Sequence, residues 1–382
     1  MHQRSAALRV LFALRVDAFR RIGGDTVQAS KTRDALRSLG VHVDLTTDLN
    51  TPLRGYDLVH VFNLVRVHET FWFARHAVRE GVPVVLSPIY WDFDEVERRW
   101  QGALLSLALR VLGRDVTERL KTAARIVLRG ERNVAALVQL VYGYRRQQQQ
   151  VVAWSSCLLP NSTAEQQVLG RRFNLRNKLI AVVPNAVDRL FAEGDGSRFK
   201  QRYGLDDFVL CVGRFDPRKN QLRLVEAVGN LGIPLVLIGS AAPNHASYYR
   251  RVTSAARMVR PPALILGPFD ARELADAYAA ARVHVQPSWI ETPGLASLEA
   301  GLAGCNLVVA DVPPVREYFG DYVWYCDPGD VSSIRRAILE AWASPPRPEL
   351  AEHIRKNYTW ERAAQVTLKA YRQVLEARSD ER

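Results

Sequence analysis

The sequence predicts an α/β protein built from two doubly wound, parallel-sheet domains in tandem. Three observations point there. The chain has 382 residues, more than one hydrophobic core usually serves, since domains run to roughly 100 to 200 residues. Short apolar, β-branched runs alternate along it with longer segments of helical periodicity, the pattern of strands joined by crossover helices. That rhythm lapses and begins again after residue 200.

In the first half, residues 8–14, 41–45, 58–62 and 82–86 are apolar runs, and residues 26–39 carry the first helix. Such runs suit strands covered on both faces, as in a parallel sheet. In the second half, residues 208–212, 235–238, 263–266, 283–286 and 307–310 read as strands, with helices near 221–230, 271–281, 294–303 and 331–343. Pro184 and Asn185 break regular structure and place the join near 183–188. The expected division is therefore 1–185, 186–358 and a terminal segment, 359–382, whose helix over 360–377 crosses back onto the first domain. Sheets of this kind bind ligands outside the carboxyl ends of their strands, so the loops leaving those ends are where chemistry is expected.

Composition narrows the partners. Lys and Arg number 52 against 40 Asp and Glu, a net charge of +12, and residues 1–150 hold 23 of the basic residues against 15 acids. An anionic partner is implied: nucleic acid, a membrane surface or a phosphorylated substrate. No RNP, zinc-finger or helix-turn-helix signature accompanies the charge, which excludes nucleic acid. Arg9, Arg15, Arg20 and Arg21 interrupt the one early apolar stretch, well short of the ~18 apolar residues a membrane span needs. Residues 6–16 read as a buried first strand in place of a signal peptide, and the expected location is the cytoplasm. Cys157, Cys211, Cys305 and Cys326 are far apart in sequence, so buried reduced thiols are expected, and no metal site. Between 98 and 150 the pattern is helical, with Arg110, Arg114, Arg119, Lys121, Arg125, Arg129 and Arg132 among Leu, Val and Ala. Several are four apart and share a helix face. Either they form a solvated face partnered by residues such as Glu118 and Glu131, or they hold the protein reversibly at an anionic membrane.

Two strand-end stretches carry the chemistry. In 286–300, QPSWIETPGLASLEA, a strand ends, a loop carries Glu291, Pro293 and Gly294, and a helix beginning at Leu295 brings in Glu299. A helix start offers free backbone N–H groups and a positive dipole end, and glycine lets an anion approach them. Carboxylates beside that nest can accept hydrogen bonds from sugar hydroxyls. In 212–221, VGRFDPRKNQ, Arg214 and Lys219 follow another strand and supply fixed positive charge for a diphosphate.

With these residues in view the chain resembles the retaining GT-B glycosyltransferases of family GT4. Glu291 and Glu299, with seven residues between them, match the family's glutamate pair, and Gly213, Arg214 and Lys219 match its Gly-Arg…Lys element. The 183–188 stretch VPNAVD and the closing YTWE also match, whereas the N-terminal half matches only through Gly23-Gly24 and the short segments at 39–43 and 56–60. The resemblance implies the GT-B fold, two Rossmann-like domains facing a central cleft, and a nucleotide-diphosphate sugar as donor substrate. It implies that Arg214 and Lys219 stabilise the departing diphosphate and that Glu299 holds the ribose. Glu291, with the backbone at Pro293, Gly294 and Leu295, would hold the transferred sugar, and Gly23 and Gly24 would let the first loop close over the pyrophosphate. No cofactor or obligatory metal is implied, since Arg and Lys can take the cation's place. The acceptor would be a glycan or lipid-linked sugar, in the synthesis of surface polysaccharide of bacterial type.

One departure stands out. Family members often carry a His after the strand corresponding to 82–86, whereas this chain reads SPIYWDFD over 87–94. Tyr90, Trp91 and Asp92 are the acceptor-side candidates there, aromatic rings for stacking on a sugar and a carboxylate for a hydroxyl. His60 reads as a structural histidine at a strand end, and base recognition is expected over 264–269. Two alternatives share the fold: a non-catalytic sugar-nucleotide-binding protein, and an epimerase or phosphorylase.

Overall fold

The computed structural model describes residues 7–91, 142–241, 245–292 and 294–380, with Val116 and Val138. Asp92, Pro293 and the cations of the 110–132 stretch lie outside the described residues. Two compact units emerge, one formed by residues 1–184 with 360–382 and the other by 185–359.

The first unit is a parallel sheet of β1 (Arg9–Ala13), β2 (His42–Thr46), β3 (Leu58–Phe62), β4 (Val84–Ser87), β5 (Ser155–Leu158) and β6 (Leu179–Ile180) in the order β2-β1-β3-β4-β5-β6. Every residue of β3 and β4 is buried, as expected of strands covered on both faces. Helices α1 (Gly24–Ser38), α2 (Val67–Arg79), α3 (Tyr144–Trp154) and α4 (Thr163–Arg172) supply the cover. The Gln147–Gln150 run falls in α3, where Gln148 is buried and donates to the Leu64 carbonyl at 2.7 Å. His60, expected at a strand end, instead occupies the middle of β3. It is 1% exposed, with Nε2 2.9 Å from Ser87 Oγ and Nδ1 2.6 Å from Tyr371 Oη. Tyr371 belongs to the last helix of the chain, so this polar core contact ties that helix to the sheet.

The second unit holds β7 (Val209–Val212), β8 (Leu235–Ile238), β9 (Leu264–Leu266), β10 (Val283–Gln286), β11 (Asn306–Ala310) and β12 (Trp324–Cys326) in the order β12-β11-β10-β7-β8-β9, again parallel. Its helices are α5 (Gly196–Tyr203), α6 (Gln221–Val228), α7 (Ala246–Met258), α8 (Ala271–Ala280), α9 (Leu295–Leu302), α10 (Pro313–Phe319), α11 (Val331–Ala343) and α12 (Pro348–Asn357). The chain then returns to the first unit as α13 (Trp360–Asp380), which packs on α1. Strand order reverses between β7 and β10, the position where doubly wound sheets open a crevice at their carboxyl edge. There the backbone is tight: a Cβ on Gly239, at the end of β8, would stand 2.1 Å from the Gly213 carbonyl oxygen. Only glycine fits that approach.

The sequence expectation lacked β5, β6 and β12, which are four, two and three residues long. β5 opens on two serines, and β6 and β12 are shorter than four residues, so none of the three presents an apolar run long enough to register. The four cysteines are free and buried. Among the described residues no helix is long and apolar enough to cross a membrane.

Candidate functional site

The carboxyl ends of β7 and β10 bring together two of the expected residues. After β7, Gly213 takes φ 151° and the chain passes Arg214 and Phe215 to Asp216, whose carboxylate accepts from the Arg218 amide at 3.0 Å and caps the short 3-10 turn Pro217–Lys219. Asn220 closes that turn in the left-handed region, φ 63°, which asparagine tolerates. Its Nδ2 donates to the carbonyls of Pro287, 3.1 Å, and Pro328, 2.9 Å. Burial would raise the Asp216 carboxyl, but the fork of Arg218 and its charge bring it below the usual range. The turn is thus fixed from inside by residues the sequence reading passed over, although Asp-Pro followed by Lys-Asn carries the cap and left-handed signals.

After β10 the loop is joined to this turn by a hydrogen bond from the Trp289 amide to the Arg218 carbonyl, 2.8 Å. Asn185 holds the other side, donating Nδ2 to the Thr292 carbonyl at 3.2 Å while its own amide donates to Tyr318 Oη at 2.6 Å. The result places Lys219 Nζ 2.6 Å from Glu291 Oε2, with side chains 29% and 13% exposed. Gly294, φ 96°, is the N-cap of α9, and a Cβ there would press to 2.8 Å from Glu291 Cγ. Leu295 opens the helix, whose first amides have no carbonyl within the helix to bond.

Glu299 lies on α9 and accepts from Tyr278 Oη at 2.9 Å. Tyr278 has no solvent exposure, and burial together with the Glu299 charge raises its phenol well above the ordinary value, so it remains a donor. Behind it, His284 Nε2 faces Ser297 Oγ at 3.5 Å. Burial, and secondarily the charge of Lys219, lowers the imidazole to about 3, so it is neutral.

In the first unit Gly23 is the N-cap of α1 and Gly24 its first residue, beside the carboxyl end of β1. A Cβ on Gly23 would meet Asp25 Oδ1 at 2.7 Å. A partly buried charge network that the sequence reading missed fixes this corner. Arg15 Nε donates to Asp25 at 2.8 Å and Arg15 Nη1 to Asp17 at 2.5 Å, while Arg66 bonds Asp17 at 2.9 and 3.1 Å. Burial would raise Asp17 and Asp25, but these guanidinium groups lower both below the usual carboxylate range.

The acceptor-side expectation meets a correction at Tyr90. Its side chain is 8% exposed and packs edge-on against Phe173, ring centroids 5.5 Å apart, within the core of the first unit. An aromatic so placed supports the loop and offers no open stacking face. Trp91 is half-buried, and Asp92 lies outside the described residues. Ile89, just before, takes φ 45°, an uncommon strain for a β-branched residue. The segment is held by Glu165, which accepts from the Tyr90 amide and the Asn161 amide, 2.7 Å each. Burial pushes the Glu165 carboxyl up to about 7, the two amides opposing it. Asp92-Phe93-Asp94 forms an Asp-x-Asp triplet in the sequence and lies outside the described residues.

Residues 197–359 match the family model described as glycosyl transferases group 1. Among curated proteins, a D-inositol 3-phosphate glycosyltransferase of Stackebrandtia nassauensis is 29% identical over 257 residues, 61% of this chain and 57% of that one. The O-antigen chain mannosyltransferase B of Escherichia coli is 31% identical over 186 residues, 45% of this chain and 48% of its own. The chain thus spans about half the length of these relatives. Among solved structures, a sucrose-phosphate synthase from Thermosynechococcus elongatus superposes with a TM-score of 0.71 at 18% identity, covering 97% of this chain and 100% of that one. HepE of Anabaena, in complex with UDP and glucose, gives 0.64 at 17%, covering 97% and 99%. At these identities the structures show the fold alone, two Rossmann-like parallel sheets of the GT-B class.

Proposed function

We propose, from the match of residues 197–359 to the family model of the group 1 glycosyl transferases, that the chain moves a sugar from a nucleotide-diphosphate donor to a glycan or lipid-linked acceptor, with retention of anomeric configuration, in the synthesis of a surface polysaccharide. The observation that carries this reading is the 2.6 Å contact of Lys219 with Glu291 at the strand-order reversal of the second unit, beside the N-terminus of α9. In glycosyl transfer the anomeric bond breaks, positive charge grows on the sugar ring and negative charge on the leaving phosphate. Lys219, Arg214 and the α9 amides stabilise the phosphate, and preorganised charge of this kind is worth several kcal/mol in a transition state. Glu291 accepts hydrogen bonds from hydroxyls of the transferred sugar, and Glu299, aimed by Tyr278, accepts from the ribose. Gly23 and Gly24 admit the pyrophosphate at the start of α1, and Trp91 with Asp92 serve the acceptor.

UDP is the first nucleotide to try, since HepE was solved with UDP and glucose. The expected location is the cytoplasm, with reversible attachment to an anionic inner membrane surface through the 110–132 stretch. The test is incubation with a panel of UDP- and GDP-sugars, with and without acceptor. Acceptor-dependent release of nucleotide, and an α-linked product from an α-linked donor, support transfer with retention. An isomerised sugar without acceptor supports the epimerase alternative, and tight donor binding with no product supports the non-catalytic one.

A further inference from the structure

Large apolar side chains exposed singly need no explanation on a protein surface, but a cluster does. Among the described residues, Leu39, Val78, Met258 and Leu339 are exposed one at a time, whereas Val16, Phe19 and Ile22 are 43%, 53% and 63% exposed within a single turn between β1 and α1. The turn is not loose. The Ala18 amide donates to the Arg15 carbonyl at 3.0 Å, and the Arg20 and Arg21 amides to the Asp17 carbonyl at 3.1 and 2.9 Å. Ala18 is fully buried and its carbonyl accepts from Thr26 Oγ1 at 3.2 Å. Arg15 reaches the Arg21 carbonyl as well as Asp17 and Asp25. The hydrocarbon is therefore displayed by a backbone braced from beneath.

Charge in the turn is equally uneven. Arg15 and Asp17 are paired within the partly buried network. Arg20 and Arg21 are exposed; Arg20 makes no ion pair among the described residues, and Arg21 approaches Asp17 only at 3.8 Å. Cations interleaved with apolar side chains suit a ligand that presents an anion and a hydrocarbon together.

We propose that the β1–α1 turn recognises the acceptor, and that the acceptor is an anionic amphiphile, a phosphate or diphosphate bearing a long hydrocarbon chain. Arg20 and Arg21 meet the phosphate, and Val16, Phe19 and Ile22 take the chain out of water. This rests on the glycosyl-transfer reading above and narrows its acceptor from a glycan or lipid-linked sugar to a lipid phosphate.

The test uses the full chain with dodecyl phosphate below its micelle concentration as probe, and inorganic phosphate and dodecyl maltoside as comparisons. Dodecyl phosphate is expected to bind at least about tenfold more tightly than either comparison. The double variant Phe19→Ser/Ile22→Ser should lose about tenfold or more for dodecyl phosphate and leave inorganic phosphate unchanged. Arg20→Ser/Arg21→Ser should erase the preference over the maltoside. Unchanged thermal midpoints establish that the variants fold, as their exposure leads one to expect. Equal binding of the phosphate and the maltoside, or unchanged binding in both variants, overturns the proposal. Release of UDP from a UDP-sugar onto water is followed in parallel. Its presence without any amphiphile preference counts against this inference alone, whereas the absence of nucleotide release from every UDP- and GDP-sugar, with acceptor as well as without, counts against glycosyl transfer.

Discussion

Lys219 Nζ stands 2.6 Å from Glu291 Oε2, although the two residues leave different strands and are separated by 72 positions. The carboxylate proposed to hold the sugar also holds the cation proposed to hold the phosphate. Displacing either end of the donor therefore disturbs the other.

Replacing either partner should act as removal of one device. Glu291→Ala and Lys219→Ala are each expected to lower kcat by roughly 100-fold or more, and the double variant should be little worse than the poorer single one. Both side chains are partly exposed, so thermal midpoints should move little. Initial rates with saturating UDP-sugar and calorimetric scans check this; additive losses would mean that the pair does not work as a unit.

Tyr278→Phe keeps the ring in the core and removes one hydrogen bond to a carboxylate. Bonds to charged groups are worth about 1.5–3 kcal/mol, so the donor KM should rise by roughly tenfold with kcat changed much less. Donor titrations at saturating acceptor decide it. A fall in kcat at constant KM would detach Glu299 from ribose binding.

Activity should persist in EDTA, since Arg214, Lys219 and the α9 amides are proposed to neutralise the diphosphate. Asp92-Phe93-Asp94 makes this a demanding test. Rates lost in EDTA, restored by Mg²⁺, and insensitive to Mg²⁺ in Asp92→Asn would assign the triplet a metal.

Stability should depend on pH with opposing signs from named groups. His60 and His284 are lowered by burial to about 3 from an ordinary 6.5. The unfolded chain takes up those protons first, so their contribution is whole above 6.5 and declines as pH falls toward 3. At pH 5 each costs about 2 kcal/mol of stability, from roughly 1.4 kcal/mol per pH unit. Glu165 runs the other way. Its carboxyl is raised from 4.5 to about 7, so the unfolded chain releases that proton first and stability declines as pH rises from 4.5 through 7. Thermal midpoints from pH 5 to 8 should show a shallower acid decline in His284→Asn. In Glu165→Gln the difference between pH 5 and pH 7.5 should shift toward higher stability at the upper end.

How much could be read from the sequence follows from how local each signal is. Strands at 58–62, 235–238 and 283–286 and the helix at 331–343 coincide with the structure to the residue, because each is a long enough apolar or periodic run. Glu291 and Lys219 were identified from the loops that carry them, but their pairing was not, because it depends on Asn220, Trp289 and Asn185 joining separate segments. Tyr90 went the other way. Beside Trp91 it reads as a binding face, yet its burial is decided by Phe173 and Glu165, more than 70 residues on. Glu165 itself gives no local sign of being wholly buried, since a glutamate three residues after Ser162 reads as an ordinary helix cap.

The hydrogen bond between His60 and Tyr371 spans 311 positions, and it bears on the order in which the molecule is made. During synthesis the first unit's strands emerge early, but the helix that completes their cover is translated only after all of residues 185–359. The second unit is continuous and can close while the first still waits with an uncovered flank and an imidazole that lacks its Tyr371 partner. A nascent chain stalled before residue 360 would therefore carry one finished sheet and one exposed to chaperones and proteases.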